Sequence, residues 1–405
     1  MHIGLCSPHW PPGNGANGIV SYVAAVRDHF IAQGHDVTVI SQRAVYSGDG
    51  SATLLSLPEE RPGLFGSVLN RMSRRLDRSP GALSDIGRTV AREIQLAHRL
   101  KPFDILEMED SFGWSAIVGR TINVPVVTRL HGPHFLKPAK ARDARQKRAD
   151  RSRCAAEASA VRSARLITAP TKAIMDRTCE NSRRDPNKPA AVIPNPIVIP
   201  ADAPRWELSG CERDHIFMVG RFDYWKGADT LLIAFERLLQ TRPQARLTIV
   251  GPDLGIEVIP EHRIGYDAYA RASLSPATRE RISFLGMLKP EEIAPLRLKA
   301  NVTVVSSRLE NLPYVLLEGM AIGCPLLCTD WPGSEEIIDD GRTGVLTPVG
   351  QPGEMAANLG SMLANPELAA SLGAEARSHC AQTFSVDVVG KQLIEFYDTT
   401  LKAAA

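Results

Sequence analysis

Arg221 and Lys226 stand five positions apart in the stretch GRFDYWKG, which begins at Gly220. The apolar run before this stretch predicts a strand, and the run ADTLLIAFERLL after it predicts a helix. The N-terminus of a helix offers unpaired backbone N–H groups and the positive end of the helix dipole, and both favour phosphate. Two cations at this point could therefore neutralise a diphosphate without a metal ion. The alternative is a solvated loop with ordinary surface cations.

Glu310 and Glu318 are eight positions apart in the run ENLPYVLLE. Glu310 is predicted to lie in the turn after a strand, and Glu318 within the next helix, whose other residues are apolar. A carboxylate on an otherwise buried helix is costly unless it is paired or binds a ligand. Since a carboxylate can accept the two hydroxyl protons of a ribose diol, the preferred interpretation is that Glu318 binds a ribose. An ion pair that stabilises the helix is the alternative.

A third group of acidic residues, Glu107, Glu109 and Asp110, follows a short apolar run in LEMEDSFGW. This position predicts the end of a strand, where a carboxylate could act as a general base or bind an acceptor. A polar strand end without a ligand gives the same sequence. Both interpretations therefore stay open at the level of the sequence.

The elements that must position these residues are visible as an alternation of short apolar runs and longer amphipathic segments. The alternation starts again after the proline-rich stretch PNPIVIPADAPRW. It predicts an α/β fold of two doubly wound, Rossmann-like domains, at residues 1–198 and 199–384, with a C-terminal helix at 385–405 that packs back onto the first. Residues 253–280 are polar and are predicted to form a loop. Because open α/β sheets bind ligands at the carboxyl ends of their strands, we expect the domains to face each other across a cleft.

The composition of the 405 residues, 44% hydrophobic and 23% charged, is typical of a globular protein. No apolar stretch reaches the ~18 residues that a membrane-spanning helix needs. The N-terminal run MHIGLCSPHWPPG predicts a buried strand rather than a signal peptide. The seven cysteines are scattered and form no metal-ligand set, which is typical of reduced thiols in the cytoplasm. We therefore expect a cytoplasmic location and no metal site.

The charge is distributed unevenly along the chain. Residues 1–199 contain 28 Lys and Arg against 18 Asp and Glu, whereas residues 200–405 contain 19 against 27, so the halves carry net charges of +10 and −8. In the basic half, residues 65–78 (FGSVLNRMSRRLDR) combine apolar residues at helical spacing with four arginines. Such a helix could contact an anionic membrane at its inner face, or it could pack on the domain with its arginines solvated. We do not expect nucleic acid among the partners.

The second half resembles the retaining, metal-independent nucleotide-sugar glycosyltransferases with two Rossmann-like domains, the group 1 or family 4 class with the GT-B architecture. The run VGRFDYWKGADTLLIAF is similar to the family's arginine and lysine after the first strand of the second domain. The run ENLPYVLLE is similar to its Glu-x7-Glu motif, and GMAIGCPLL, WPGSEEII and DDGRTGVLTPVGQP follow in the family's order. The resemblance covers residues 215–384.

The first half resembles the same family more loosely. The run PPGNGANGIVSYV is similar to the family's glycine-rich first loop, which implies that Gly15 and Gly18 approach the donor. TRLHGP is similar to the strand end that carries the family's histidine, which makes His131 the candidate residue beside the reacting sugar. VIPNPI is similar to the family's inter-domain segment, with Pro196 in place of a glycine. This similarity implies a hinge role for Asn195, with ligand contact left open.

The resemblance implies transfer of a hexose-type sugar from a UDP- or GDP-sugar to an acceptor hydroxyl, with retention of configuration and without a cofactor. Arg221 and Lys226 would stabilise the charge that develops on the leaving diphosphate. Glu318 would hold the ribose. The donor sugar would be held by Glu310 and by the backbone N–H groups beside it, at Asn311 and Leu312, while Gly220 would border the phosphates.

The acceptor that the resemblance implies is a glycan or a lipid-linked molecule in cell-envelope, exopolysaccharide or glycolipid assembly. The alternative function is a nucleotide-sugar epimerase or hydrolase of the same two-domain architecture. A dinucleotide-binding protein is disfavoured, because no clear G-x-G-x-x-G sequence opens a helix after the first strand.

Overall fold

The computed structural model describes residues 1–13, 17–41, 44–54, 80–137, 143–259 and 262–404. These residues form two compact units, Met1–Pro196 with Val386–Ala405, and Ile197–Ser385. The sequence placed the boundary two residues later, after residue 198, and the returning helix one residue earlier, at 385. Two of the predicted features, Gly15 and the basic segment 65–78, lie outside the described residues.

The first unit contains an eight-stranded sheet in the order β4-β3-β2-β1-β5-β6-β7-β8. Strands β1, β2 and β5–β8 pair in parallel, and β3 and β4 extend the edge as antiparallel strands. Its strands are β1 (His2–Cys6), β2 (Asp36–Ser41), β3 (Ala44–Tyr46), β4 (Ala52–Leu54), β5 (Ile105–Glu109), β6 (Val126–Arg129), β7 (Leu166–Ala169) and β8 (Ala190–Val192).

Helices connect the parallel strands of this sheet. They are α1 (Gly18–Ala32), α2 (Pro80–Leu100), α3 (Trp114–Val118), α4 (Ala144–Ser163) and α5 (Lys172–Ser182). Three of them begin at a capping side chain that accepts a backbone N–H of the first turn, which satisfies one of the unpaired donors there. The caps are Asn17, Asp143 and Thr171. Gly18, which the sequence assigned to a glycine-rich loop, is the first residue of α1.

The second unit contains a six-stranded parallel sheet in the order β13-β10-β9-β14-β15-β16. The strands are β9 (His215–Val219), β10 (Arg246–Val250), β13 (Ile282–Phe284), β14 (Val302–Val305), β15 (Leu326–Thr329) and β16 (Val345–Thr347). The chain fills one side of β9 first and then crosses to β14 on the other side. The strand order therefore reverses between β9 and β14, which is the position where doubly wound sheets open a crevice for a ligand.

The helices of the second unit flank this sheet, and a small antiparallel hairpin stands beside it. The helices are α6 (Ala228–Leu239), α7 (Tyr266–Ser273), α8 (Pro276–Arg279), α9 (Pro290–Lys299), α10 (Tyr314–Ile322), α11 (Pro352–Ala364) and α12 (Pro366–Thr383). The hairpin strands are β11 (Ile256–Ile259) and β12 (His262–Ile264). The fold is thus α/β with two Rossmann-like domains, as the sequence predicted.

The prediction of a loop at residues 253–280 is wrong, because the hairpin β11–β12 and the helices α7 and α8 occupy it. The polar composition suggested a loop because these short elements are half exposed, and therefore contain few apolar residues. Their tyrosines nevertheless pack on the core: the rings of Tyr266 and Tyr269 both lie 5.7 Å from the ring of Phe222. Aromatic contacts at this distance stabilise a segment that hydrophobic periodicity does not reveal.

The last helix, α13 (Val386–Ala404), belongs to the first unit and packs against α1. Tyr397 on α13 is fully buried, and its ring contacts the ring of Phe30 at a centroid distance of 6.1 Å. The burial of this large side chain favours the packing of α13 on the first unit. Among the described residues, no helix combines the length and the apolar character that crossing a membrane would require.

Candidate active site

The loop after β9 carries both cations of GRFDYWKG, and Asp223 holds them in place. Arg221 Nε donates to Asp223 Oδ2 at 2.6 Å, and the backbone N–H of Lys226 donates to Asp223 Oδ1 at 2.8 Å. Gly220, directly after β9, donates its N–H to the carbonyl of Val250 at 2.8 Å. The predicted cations therefore lie together at the carboxyl end of β9, on a loop whose shape a buried carboxylate fixes. The sequence analysis missed this role of Asp223, although the residue stands inside the quoted motif.

The loop after β14 lies directly against the loop after β9. Gly227 has a φ of +66°, and a Cβ at this position would overlap the carbonyl oxygen of Ser306. Ser306 Oγ in turn donates to the carbonyl of Lys226 at 2.9 Å. Only a glycine satisfies both the left-handed backbone and the close approach of Ser306. The glycine before α6 is therefore required by the meeting of the two loops.

Lys226 and Glu310 meet at the point where the strand order reverses. Lys226 Nζ forms an ion pair with Glu310 Oε1, which also accepts from Ser307 Oγ at 2.9 Å. Both side chains are largely buried. A cation and a carboxylate from separate loops thus occupy one small polar site, where partial desolvation strengthens their interaction with any charged ligand. Of the residues predicted to act in catalysis, Lys226 and Glu310 are therefore in direct contact, and Arg221 lies on the same loop as Lys226.

Arg308 ties these loops to the beginning of α6. Its Nη1 and Nη2 donate to Asp229 Oδ1 and Oδ2, both at 2.7 Å, in the bidentate arrangement that is typical of strong arginine–carboxylate pairs. Its guanidinium also lies 4.2 Å from the centre of the Tyr224 ring. Burial alone would lower the pKa of Arg308. The hydrogen bonds to Asp229 and the charges of Asp229, Tyr224 and Tyr269 together nevertheless raise this pKa. This clamp, which the sequence analysis did not predict, fixes the backbone that carries Lys226.

Glu318 lies on α10 as predicted, but it is not enclosed by apolar residues. Its side chain is 46% exposed, and its Oε2 accepts from Arg297 Nη2 at 2.7 Å. The helix as a whole is apolar, and Glu318 stands on the side that stays accessible. The turn before α10 contains Asn311, which is partly buried, and Leu312, which is buried. Glu318 is therefore ion-paired, as the alternative interpretation had it, and also accessible, so that its binding of a ribose stays a prediction.

In the first unit, His131 follows the end of β6 and is held by its neighbours. Its backbone N–H donates to Asp110 Oδ1 at 3.0 Å, and its ring meets the edge of the Tyr22 ring at a centroid distance of 5.0 Å. Burial, and next the charge of Arg129, lower the pKa of His131 well below its ordinary value. The imidazole is therefore neutral at pH 7. A neutral ring can donate or accept a hydrogen bond without adding charge to a site.

Asp110 is buried, and burial, reinforced by the charge of Glu157, raises its pKa to about 7. Its Oδ2 has no hydrogen-bond partner among the described residues. Glu157 is also buried, and it accepts the backbone N–H groups of Phe112 and His134 at 3.0 and 2.7 Å. Two carboxylates thus organise the loops that follow β5 and β6, and Asp110 is the one that reaches His131.

Glu107 lies inside the first unit, away from solvent. It is 3% exposed, and its two oxygens accept the hydroxyls of Tyr22 and Tyr397, each at 2.7 Å. Burial raises its pKa, although the charge of Arg129 and the two tyrosines act in the opposite direction. This geometry favours the structural interpretation of Glu107. Glu109 is closer to the surface and accepts the hydroxyl of Ser111 at 3.1 Å, and burial raises its pKa.

Asn195 lies next to the point where the chain leaves the first unit. Its Oδ1 accepts from Nη2 of Arg129 at 2.9 Å, and the same nitrogen donates to the carbonyl of Pro194 at 3.1 Å. Arg129 is completely buried, and its guanidinium lies 4.5 Å from the centre of the Tyr22 ring. The end of this unit is therefore held by a buried arginine. The sequence motif TRLHGP contains Arg129, but only its histidine was singled out.

The described residues contain no group of three or more His, Cys, Asp or Glu side chains placed to hold a metal ion. The seven cysteines are all unpaired, and three of them are buried. The chemistry that the described sites offer is therefore that of cations, carboxylates and hydroxyls. In the second unit these groups gather at the carboxyl ends of β9 and β14, which suits an anionic ligand with hydroxyl groups.

Two family models match the chain, one over each half. The model described as "Glycosyl transferases group 1" matches residues 207–379, and the model described as "Glycosyltransferase Family 4" matches residues 16–199. The first range contains all the residues of the second-unit site, and the second contains His131 and the network around it. The two matches follow each other in the order of the two units.

Two curated relatives are named as transferases, in agreement with the descriptions of the family models. A D-inositol 3-phosphate glycosyltransferase of Streptomyces scabiei is 27% identical over 419 aligned positions, which cover 98% of this chain and 89% of the relative. An alpha-D-kanosaminyltransferase of Streptomyces kanamyceticus is 26% identical over 298 positions, which cover 69% of this chain and 72% of the relative.

Solved structures share the fold over the whole length. A sucrose-phosphate synthase of Thermosynechococcus elongatus superposes with a TM-score of 0.75 at 20% identity, and the match covers 100% of both chains. The Anabaena protein HepE in complex with UDP-glucose superposes with a TM-score of 0.63 at 17% identity, over 98% of this chain and 100% of that one. At such identities the likeness establishes the fold.

Proposed function

Since this chain belongs to the group 1 and family 4 glycosyltransferases, we propose that it transfers a hexose-type sugar from a UDP- or GDP-sugar to an acceptor hydroxyl, with retention of configuration. The observation that carries the proposal is the meeting of Lys226 and Glu310 where the strand order reverses. A nucleoside diphosphate needs cations for its phosphates, and a sugar needs acceptors for its hydroxyls. This site offers both.

In the proposed reaction, the difficult step is the departure of the nucleoside diphosphate, because negative charge accumulates on it as the glycosidic bond breaks. Arg221 and Lys226 lie on one loop, and Asp223 orients both. Cations fixed before the reaction stabilise the charge that develops in the transition state more than the charge of the ground state, and this difference accelerates the step. The proposed mechanism uses no cofactor and no metal ion for this purpose.

Glu310 has a second proposed task. Without donor it neutralises Lys226, and with donor it would accept hydroxyl groups of the sugar while Lys226 turns to the phosphates. The backbone N–H groups near Asn311 and Leu312 and the carboxylate of Glu318 complete the proposed donor contacts. For His131 we retain the role that the family resemblance implies, as a neutral hydrogen-bonding group beside the reacting sugar. Its lowered pKa supports this role, because an imidazolium would add charge next to an electron-poor carbon.

The acceptor proposed is a glycan or a lipid-linked molecule of cell-envelope, exopolysaccharide or glycolipid assembly. Both named relatives are transferases, and one name mentions D-inositol 3-phosphate while the other mentions a kanosaminyl group, so they support transfer in general and not one pathway. They do not favour the alternative of an epimerase or hydrolase. A contact of residues 65–78 with anionic membrane stays a prediction.

The experiment that tests the proposal has two arms. A thermal-shift screen of UDP, GDP and other nucleoside diphosphates should show stabilisation by one of them that grows with the ratio of ligand concentration to Kd. Radiolabelled UDP- and GDP-sugars, with and without lipid extract, should then yield label in an acceptor fraction. Release of free sugar at the same rate with and without extract would instead indicate a hydrolase. No stabilisation by any nucleotide would contradict the proposal.

A further inference from the structure

Arg297, near the end of α9, is a buried arginine that faces the half-exposed Glu318. It is only 4% exposed, and its Nη2 donates to Glu318 Oε2 at 2.7 Å. Its Nε is buried without a hydrogen-bond partner among the described residues. A guanidinium in this position is tolerated only with a compensating negative charge, and Glu318 supplies it.

The pairing leaves Glu318 available to a ligand while restricting its orientation. Arg297 engages one carboxylate oxygen, Oε2, and nearly half of the glutamate side chain stays exposed. A carboxylate on a helix surface otherwise samples several rotamers, and a ligand that needs one of them must order the side chain at a cost in free energy. A partner that is itself fixed by burial removes much of this cost.

We propose that Arg297 is a positioning residue for nucleotide recognition: it holds the Glu318 carboxylate in the orientation that accepts the 2′- and 3′-hydroxyls of the donor's ribose. The inference rests on the proposed function, since it assumes that Glu318 faces a ribonucleoside diphosphate. It adds that selectivity for ribose over deoxyribose depends on a residue that does not contact the ligand. Arg297 lies outside GRFDYWKG and ENLPYVLLE, which is why neither motif reveals it.

A merely structural role for Arg297 makes a different prediction. The loss of a buried ion pair lowers the stability of the protein wherever the pair lies. If Arg297 were only structural, its loss would weaken the binding of a nucleotide and of its 2′-deoxy form equally. Only a positioning role changes the ratio of the two affinities. The chain contains a matched control, because Arg242 forms a similar pair with Asp214 in the same unit, with Nη1 and Oδ1 3.0 Å apart. Within the part of the chain that the structure describes, the hydrogen bonds and ion pairs of Arg242 involve no residue of the proposed donor site.

The experiment is isothermal titration of the full chain with UDP, GDP and their 2′-deoxy forms, in the wild type and in R297M, R297K, R242M and E318Q. The wild type should prefer the ribonucleotide. R297M and E318Q should each reduce this preference about ten-fold, the usual effect of a lost hydrogen bond to a charged group. R297K, which keeps the charge but not the planar fork, should lie between them. R242M should leave the preference unchanged.

The outcomes separate the inference from the proposed function. An unchanged preference in R297M, or in R297K should R297M not fold, with a reduced one in E318Q, overturns the positioning role of Arg297 and leaves the proposed function intact. An unchanged preference in E318Q overturns the ribose contact itself and the inference with it. If the wild type binds none of the four nucleotides, the proposed function fails as well. Should R297M not fold, R297K and E318Q still decide the matter, because both keep Arg297's site occupied by a long side chain.

Discussion

Both units place a basic and an acidic residue near the carboxyl ends of neighbouring parallel strands, but the surroundings of the two sets differ. In the first unit, Arg129 and Glu107 are completely or almost completely buried; two tyrosine hydroxyls donate to Glu107, and Asn195 accepts from Nη2 of Arg129. In the second unit, Lys226 and Glu310 keep some exposure, and Arg221 and Glu318 are about half exposed. The same residue types therefore serve two purposes.

The difference teaches that the environment, rather than the residue type, separates charges that hold the fold from charges that bind a ligand. Charges that are buried away from solvent are not accessible to a ligand, and the loss of one of them costs stability because it leaves the other uncompensated. Half-exposed charges contribute little to stability, and they can exchange their partner for a phosphate or a hydroxyl group. We therefore expect variants of Arg129 and Glu107 to change unfolding, and variants of Arg221 and Lys226 to change turnover.

The largest effect is expected for Arg129. R129M leaves Glu107 buried without its nearby positive charge, which should lower the free energy of unfolding by about 3–5 kcal/mol. Urea unfolding at pH 7 measures this. The matched variant R221M removes a half-exposed arginine from the second unit and should cost less than about 1 kcal/mol. The double variant R129M/E107Q should recover part of the loss, because no buried charge is left unpaired. Equal costs for R129M and R221M would remove the distinction between the units.

The next effect concerns turnover. K226A and R221A should each lower kcat by about 10²-fold or more, since each removes a cation that stabilises the leaving diphosphate. Steady-state kinetics with the donor identified by thermal shift measures it. K299A, a change of an exposed lysine in the same unit, should leave kcat unchanged. EDTA should also have no effect. Near-normal turnover in both K226A and R221A would show that the loop after β9 does not bind the diphosphate.

The sequence could predict those parts of the site that are defined by short offsets from the ends of elements. Arg221 and Lys226 follow a strand and precede a helix, and Glu310 and Glu318 flank the start of the next helix, so local patterns place each of them. The two-domain α/β fold is equally visible, because buried parallel strands are continuous apolar runs that alternate with amphipathic helices.

The remaining parts depend on contacts between elements that are distant in sequence. Lys226 meets Glu310 across 84 positions, and Tyr397 meets Glu107 across 290. Such pairs follow from the strand order and from the packing of helices, which local periodicity does not contain. For the same reason the sequence could not distinguish Glu107 from Glu109. Glu107 is buried in the interior of the unit, whereas Glu109 lies two residues further along the same strand and closer to solvent.

A smaller effect is expected for the glycine that joins the two loops of the second unit. G227A should lower both the free energy of unfolding and kcat. The new Cβ would overlap the carbonyl of Ser306, and the alanine would also have to adopt an unfavourable positive φ. G350A is the control: Gly350 also has a positive φ, of +71°, but has no atom near the added Cβ. It should cost only the ~1–2 kcal/mol of the left-handed backbone. If G227A and G350A lose the same amount of thermal stability and of kcat, the close approach of the two loops is not essential.

The effect that is smallest at each half-unit step of its measurement is a pH dependence in the first unit that does not need a ligand. Asp110 has a pKa of about 7 in the folded chain, above its ordinary value of 3.8, because it is buried and lies near Glu157. Between these two values the folded state binds a proton that the unfolded state has released. The contribution of Asp110 is therefore most favourable below about pH 4, and it is lost as the pH rises towards 7, with a slope of at most ~1.4 kcal/mol per pH unit.

D110N isolates this contribution, because asparagine can still accept the N–H of His131 and does not titrate. The stability of the wild type minus that of D110N should fall between about pH 4 and 7 and then level off, as measured by urea unfolding at half-unit steps. His131 titrates in the opposite direction, since its lowered pKa makes the folded state gain stability as the pH rises, and the subtraction removes this term. A flat difference for D110N would mean that water reaches Asp110, and that the first unit is not closed to solvent in the way that sets it apart from the second.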